Sequence, residues 1–143
     1  MNKLQYTREN LADTLRRHGI NPTHQRIEIA HALFSRQAHL SADQVMAIVN
    51  EKHSETSKAT VYNTLNLFRQ KKLVREVIVD PSKVFYDPNM EPHYHIYNLE
   101  SGELTDIDAS SVRISGLPQL PGGVVAEGMD VVIRVRPESD NNS

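Results

Sequence analysis

Apolar residues recur at helical spacing four times before any strand pattern begins. From Arg8 to Arg17, Leu11 and Leu15 stand at i and i+4, and Gly19 is placed to cap the C-terminus. Pro22-Thr23 opens a second helix, with Thr23 as its N-cap and Ile27, Ala30 and Phe34 expected on its buried face. The run Ser41-Ala42-Asp43-Gln44 has the form of a capping box and starts a third helix with the stripe Ala42, Val45, Met46 and Val49. Ser57 caps a fourth, whose buried stripe is Val61, Leu65 and Phe68 and whose opposite face is polar: Lys58, Tyr62, Asn63, Asn66 and Arg69.

The pattern then changes to a period of two. Val74 to Val79, a turn at Pro81-Ser82 and Val84 to Tyr86 read as a β-hairpin. Short helices followed by a hairpin is the order of a winged helix, whose last helix before the hairpin lies in the DNA major groove. Tyr62 and Asn63 are then placed to meet base edges, and Lys58 and Arg69 to meet phosphates. Ser57 and Thr60 share the N-terminal end of that helix, and Arg17, His24 and Arg26 are the flanking groups that complete the expected DNA-binding set. The bland alternative is an amphipathic helix with a solvated face.

Beyond Asp87-Pro88 three further strands are expected, Tyr94 to Leu99, Glu103 to Ile107 and Val131 to Val135, with a tight turn at Ser101-Gly102 and a loop at Pro118 to Gly123. Three short strands are marginal as an isolated unit, so this half is expected to complete its core against a second copy. The expected fold is α+β: a winged helix-turn-helix domain over 1–86, a hinge at 87–88, and a small α/β dimerisation and sensing domain over 89–143 ending in a polar, disordered tail.

Charge sharpens the division. Residues 1–86 carry 13 Lys+Arg against 8 Asp+Glu, a balance of +5, whereas residues 87–143 carry 3 against 10, a balance of −7, which together give the net −2. A basic half points to a polyanion and an acidic half to cations or a partner. There is no Cys, hence no disulfide and no Cys-bound structural zinc. No run of 18 apolar residues and no signal-peptide pattern is present, so neither a membrane partner nor export is expected, and the cytoplasm is the expected location.

The chemistry concentrates in PHYHIYN. His93 and His95 are alternate residues of a β-prone run, so their imidazoles share a strand face and can chelate. Asp87 lies upstream and Asp106 on the neighbouring strand, where a hairpin turning at Ser101-Gly102 brings it near His95. His39 precedes the Ser41 cap and can complete the shell. Imidazole and carboxylate without thiolate suit one Fe²⁺, Mn²⁺ or Zn²⁺ per chain. His18 reads as a helix C-terminal residue, and His31 and His53 as helix-surface residues.

The run NPTHQRIEIAHALF, then HLSADQV, SKATVYNTLNLFRQKKLVREV, FYD and HYH resembles the ferric uptake regulator family of metal-responsive repressors over roughly residues 8 to 136. The resemblance implies a winged helix, an α/β dimerisation domain and a regulatory metal between them. Carried over by position, that site falls on His39, Asp87, His93, His95 and Asp106. A second site of the family falls on Pro92, Tyr94 and Met129, which cannot hold a metal as a set, and is expected to be lost. SGELTDI, the TVYNTL variant and the ending VVIRVR resemble the iron response regulator branch, which is linked to haem. Asp106 in place of Glu resembles the peroxide-sensing branch.

These readings converge on a homodimeric, non-enzymatic regulator of iron or metal homeostasis genes that binds double-stranded DNA at A/T-rich inverted repeats. The alternatives are haem or peroxide as the signal and, last, a non-haem iron enzyme built on two His and one carboxylate.

Overall fold

The computed structural model describes residues 6–36, 39–51 and 56–139, which form two compact units, one ending at Met90 and the other beginning at Glu91. The expected positions of His53 and of the tail beyond residue 139 lie outside the described residues.

The first unit contains four helices, α1 Arg8–Arg17, α2 His24–Arg36, α3 Ala42–Val49 and α4 Lys58–Gln70, followed by the hairpin β1 Arg75–Asp80 and β2 Lys83–Asp87. Its helix ends are written in the sequence. Thr7, Ser41 and Ser57 each accept the backbone N–H three residues on, and Gln44 returns a bond to the Ser41 N–H, completing the capping box. α1 ends in a Schellman turn. Gly19, at φ +75°, donates to Arg16 and Ile20 donates to Leu15. One core joins the helices to the base of the hairpin. Leu11, Leu15, Ile29, Leu33, Val45, Val61, Leu65, Phe68 and Val74 are all buried.

The α2 face differs from the expected one. Ile29, Ala30, Ala32 and Leu33 are buried, while Ile27 and Phe34 are partly buried at its margins. The helix packs against both α1 and α3, so a wide face is covered and its centre is rotated from the Ile27–Phe34 line.

α4 ends in the same Schellman geometry as α1, with Lys72 donating to Arg69 and Leu73 to Phe68, but here the left-handed position, φ +62°, is held by Lys72. A Cβ in this region is disfavoured by roughly 1 kcal/mol relative to glycine. Lys72→Gly is therefore expected to raise stability by up to about 1 kcal/mol, seen as a higher denaturant midpoint with an unchanged slope.

Across the α1–α2 junction, the Arg8 guanidinium bonds both carboxylate oxygens of Glu28. That hydrogen bond holds the Glu28 carboxyl below its ordinary range, against the opposing effect of burial. A depressed folded value contributes stability above the ordinary carboxylate range, which is lost as pH falls through the folded value. Arg8→Ala should thus narrow the stability difference between neutral and acidic solution, as read by denaturation midpoints across that range.

The second unit is a mixed sheet of β3 His93–Asn98, β4 Leu104–Asp108 and β5 Val132–Val135, ordered β4-β3-β5. β3 and β4 form an antiparallel hairpin turning at Gly102, φ +77°, whereas β5 lies parallel to β3 on its other side. Its helical content among the described residues is one 3-10 turn, Ala109–Ser111. The only buried apolar residues described in this unit are Tyr97 and Leu104, while Leu117, Leu120, Val124, Val125, Met129 and Ile133 are exposed, Val125 at 88%.

Candidate metal centre and nucleic-acid interface

Two groups of potential ligands are preorganised, one in each unit. In the first, Leu40 and Tyr86 exchange backbone hydrogen bonds of 3.4 and 2.8 Å as an isolated antiparallel bridge. In that register the residue before Leu40 faces the residue after Tyr86. His39 Nε2 accordingly lies 3.1 Å from Asp87 Oδ2. The other oxygen, Asp87 Oδ1, accepts the Asn89 N–H at 2.9 Å, which fixes the carboxylate plane. Asp87 is only 2% exposed, a position that a carboxylate occupies only with partners.

In the second unit the β3–β4 register sets His95 directly opposite Asp106. His93 is two residues along the same face, its ring centroid 4.6 Å from that of His95. Both Nε2 atoms lie 3.6 Å from Asp106 Oδ1. Nδ1 of His93 is 2.6 Å from the Glu91 carbonyl oxygen. A carbonyl can only accept, so Nδ1 carries the proton and donates, leaving the neutral ring's lone pair on Nε2, turned toward Asp106. A backbone carbonyl behind an imidazole is the usual outer support of a metal-binding histidine. His93, His95 and Asp106 each offer a ligand atom, and these lie within 4.8 Å of one another. His95 is fully buried, whereas the Asp106 side chain is 46% exposed and open to solvent. Two nitrogens and one oxygen suit a borderline or hard divalent ion, and the set fits one.

On the other candidate surface, α2 and α4 meet to form an open cleft of about 310 Å³ lined by Thr23, Gln25, Arg26, Thr60, Asn63 and Thr64. Of the expected DNA-binding residues, this brings Arg26, Thr60 and Asn63 together. Arg26 Nη1 donates to the Asn21 carbonyl at 3.0 Å, which orients the guanidinium. Tyr62 is exposed beside Lys58, whose Nζ lies 5.8 Å from the ring centroid. Ser57 accepts the Thr60 N–H and donates its hydroxyl to Thr60 Oγ1, so its first role is to cap the helix. Arg69 donates to Asn66 near the far end of α4, roughly 16 Å along the axis from Lys58. Arg17 donates to Thr14 in α1, and His24 is exposed in the first turn of α2; neither lines the cleft. Gln25 and Thr23 do line it, although the sequence marked Thr23 only as a cap and Gln25 not at all. No local pattern reports that α2 and α4 meet at these turns.

The sequence profile of the ferric uptake regulator family matches residues 17–116. The chain belongs to the ferric uptake regulator family. Among its relatives, the peroxide-responsive repressor PerR of Staphylococcus epidermidis is 30% identical over 106 residues, covering 74% of this chain and 71% of the repressor. The ferric uptake regulator of Pseudomonas aeruginosa, solved with manganese, is 26% identical with a TM-score of 0.65, over 89% of this chain and 97% of that one. The Vibrio cholerae ferric uptake regulator is 18% identical with a TM-score of 0.68 over 89% and 99%, a likeness of fold. As a ferric uptake regulator family member the chain is a metal-responsive transcriptional regulator. No helix among its described residues is long and apolar enough to cross a membrane.

Proposed function

We propose that this regulator binds one divalent ion per chain through His39, Asp87, His93, His95 and Asp106, and binds DNA as a homodimer according to whether that ion is held. The observation that carries the reading is the buried His95 directly opposite Asp106, with His93 on the same face and its Nε2 turned inward. His39 and Asp87, already paired in the other unit, supply the remaining ligands. Bound there, the ion would supply the positive charge that two carboxylates and three imidazoles jointly satisfy. Because these residues come from both units, their joint ligation would favour one disposition of the α4 helix. A ligand shifts such an equilibrium only by its differential affinity for the two dispositions. A coupling of about 1–3 kcal/mol corresponds to roughly 5–150-fold in DNA affinity.

The homodimer rests on the second unit's shortage of buried apolar residues and on its exposed Leu117, Val125, Met129 and Ile133. A dimer presents two α4 helices to an inverted repeat, and A/T-rich operators near iron or metal homeostasis genes are the expected targets. Such a regulator acts in the cytoplasm, where the DNA is. The absence of Cys removes a Cys-bound structural zinc from the scheme. Iron and manganese suit the donor set as well as zinc does.

A second reading, response to peroxide, is favoured by the 30% identity to a peroxide-responsive repressor and by the shorter, half-exposed Asp106. Haem as the signal stands behind both, since Tyr94 lies between the two histidines. The deciding experiment is a mobility shift on duplexes selected from a random pool, run with metal and with chelator. Metal-dependent binding supports the reading. Binding indifferent to metal, with haem alone altering it, would replace the ion by haem.

A further inference from the structure

Asn50 is the C-cap of α3, and it reaches across to the chain that leads into α4. Its side-chain amide forms a two-way pair with the backbone of Thr56. Nδ2 donates to the Thr56 carbonyl at 3.1 Å, and the Thr56 N–H donates to Oδ1 at 3.3 Å. The side chain thus does for Thr56 what a neighbouring strand would do, satisfying both of its backbone groups. Thr56 is itself buried and immediately precedes Ser57, the N-cap of α4. Nothing in packing demands an amide here. The buried apolar surface of α3 is made by Ala42, Val45 and Val49, and Asn50 lies past its end.

We infer that Asn50 is a positioning residue for the DNA-reading helix: its pair with Thr56 ties the N-terminal end of α4 to α3, and so fixes the placement of the first two turns, which present Tyr62 and Asn63. Val61, Leu65 and Phe68 fix the rotation of α4 against the core, but its N-terminal end projects from that anchor, and a frayed or shifted first turn would displace Thr60, Tyr62 and Asn63, which follow the cap within about two turns. The Ser57 cap by itself secures the first turn to the chain before it. The Asn50 pair secures that turn to α3, which packs against α4 and is part of the same core. Base contacts need this placement, whereas contacts to phosphates through long, flexible Lys and Arg side chains tolerate its loss. The inference rests on the DNA-binding reading of α4 and adds a residue that touches no DNA.

The test is Asn50→Ala and the near-isosteric Asn50→Asp, which keeps the shape but cannot donate to the Thr56 carbonyl. Both are made in the full chain. Affinity is measured for a duplex selected from a random pool by the wild-type protein and for a scrambled duplex of the same composition. Each variant should lose about tenfold or more of the ratio between the two affinities. Binding of Mn²⁺ should stay within about twofold of wild type. Amide hydrogen exchange adds a readout that needs no DNA: exchange at Thr56 and over the first turn of α4 should accelerate in both variants relative to the last turn. A variant with wild-type selectivity, or with unchanged exchange over that turn, overturns the inference. A wild-type protein that selects no duplex at all sinks the DNA-reading assignment of α4, and this inference with it.

Discussion

His93→Ala should reduce the affinity for Mn²⁺ or Fe²⁺ by about 100-fold or more. Loss of an outer support of a metal-bound histidine already costs about 10–100-fold, and here a ligand itself is removed. The residue is suited to the experiment because its replacement leaves the other buried groups of that sheet, His95, Tyr97 and Leu104, in place. The metal-dependent part of DNA binding should fall with it, by the roughly 5–150-fold that the coupling carries. Binding should also weaken in acid, because protons compete with the ion for imidazole nitrogen. Isothermal titration with Mn²⁺, paired with mobility shifts on the same samples, checks both halves. A His93→Ala protein that binds the ion as well as wild type removes His93 from the site. One that loses the ion but keeps its full metal response on DNA severs the proposed link. Elemental analysis finding two tightly held ions per chain would contradict the expected loss of a second site at Pro92, Tyr94 and Met129.

Tyr62→Ala should weaken operator binding by about 1–3 kcal/mol and relax sequence preference, because Tyr62 is exposed on the face of α4 that carries Asn63. Lys58→Ala should act differently. On the proposed reading its exposed ammonium, beside the Tyr62 ring, meets a phosphate, so binding to all sequences should weaken and the salt slope should fall by about one unit. The contrast between the two variants is the informative quantity. If Tyr62→Ala binds the selected duplex with unchanged affinity and selectivity, α4 is not the reading helix. If both variants change only the salt slope, α4 contacts the backbone without reading bases. Asn50→Ala provides the internal comparison, since losing its pair with Thr56 should alter presentation without removing a DNA contact.

Much of this protein is local, and the local part was legible in the sequence. The Ser41 capping box, the Ser57 cap and the Gly19 turn depend on residues within about six positions of one another, so side-chain chemistry alone predicts them. The same is true of His93 and His95, whose shared face follows from the pleat of a single strand. The pairing of His95 with Asp106 is nearly as local, since one tight turn at Ser101-Gly102 sets the register. The residues themselves also pointed to His39 and Asp87, and the family resemblance falls on the same two, but spacing could not show how they meet. They are 48 positions apart, and a single non-local bridge between Leu40 and Tyr86 brings them within 3.1 Å. Tertiary packing likewise decided that Ile29 and Leu33, rather than Ile27 and Phe34, form the centre of the buried α2 face. It placed β5 parallel to β3, at the end of a long connection from β4 whose path no periodicity encodes. It also brought Gln25 to the cleft beside Asn63. The sequence alone determined the helix caps at Ser41, Ser57 and Gly19, the strand faces and the set of candidate ligands, because each is fixed by neighbours along the chain. Which distant faces meet was left to the tertiary structure, because that depends on the packing of the whole core.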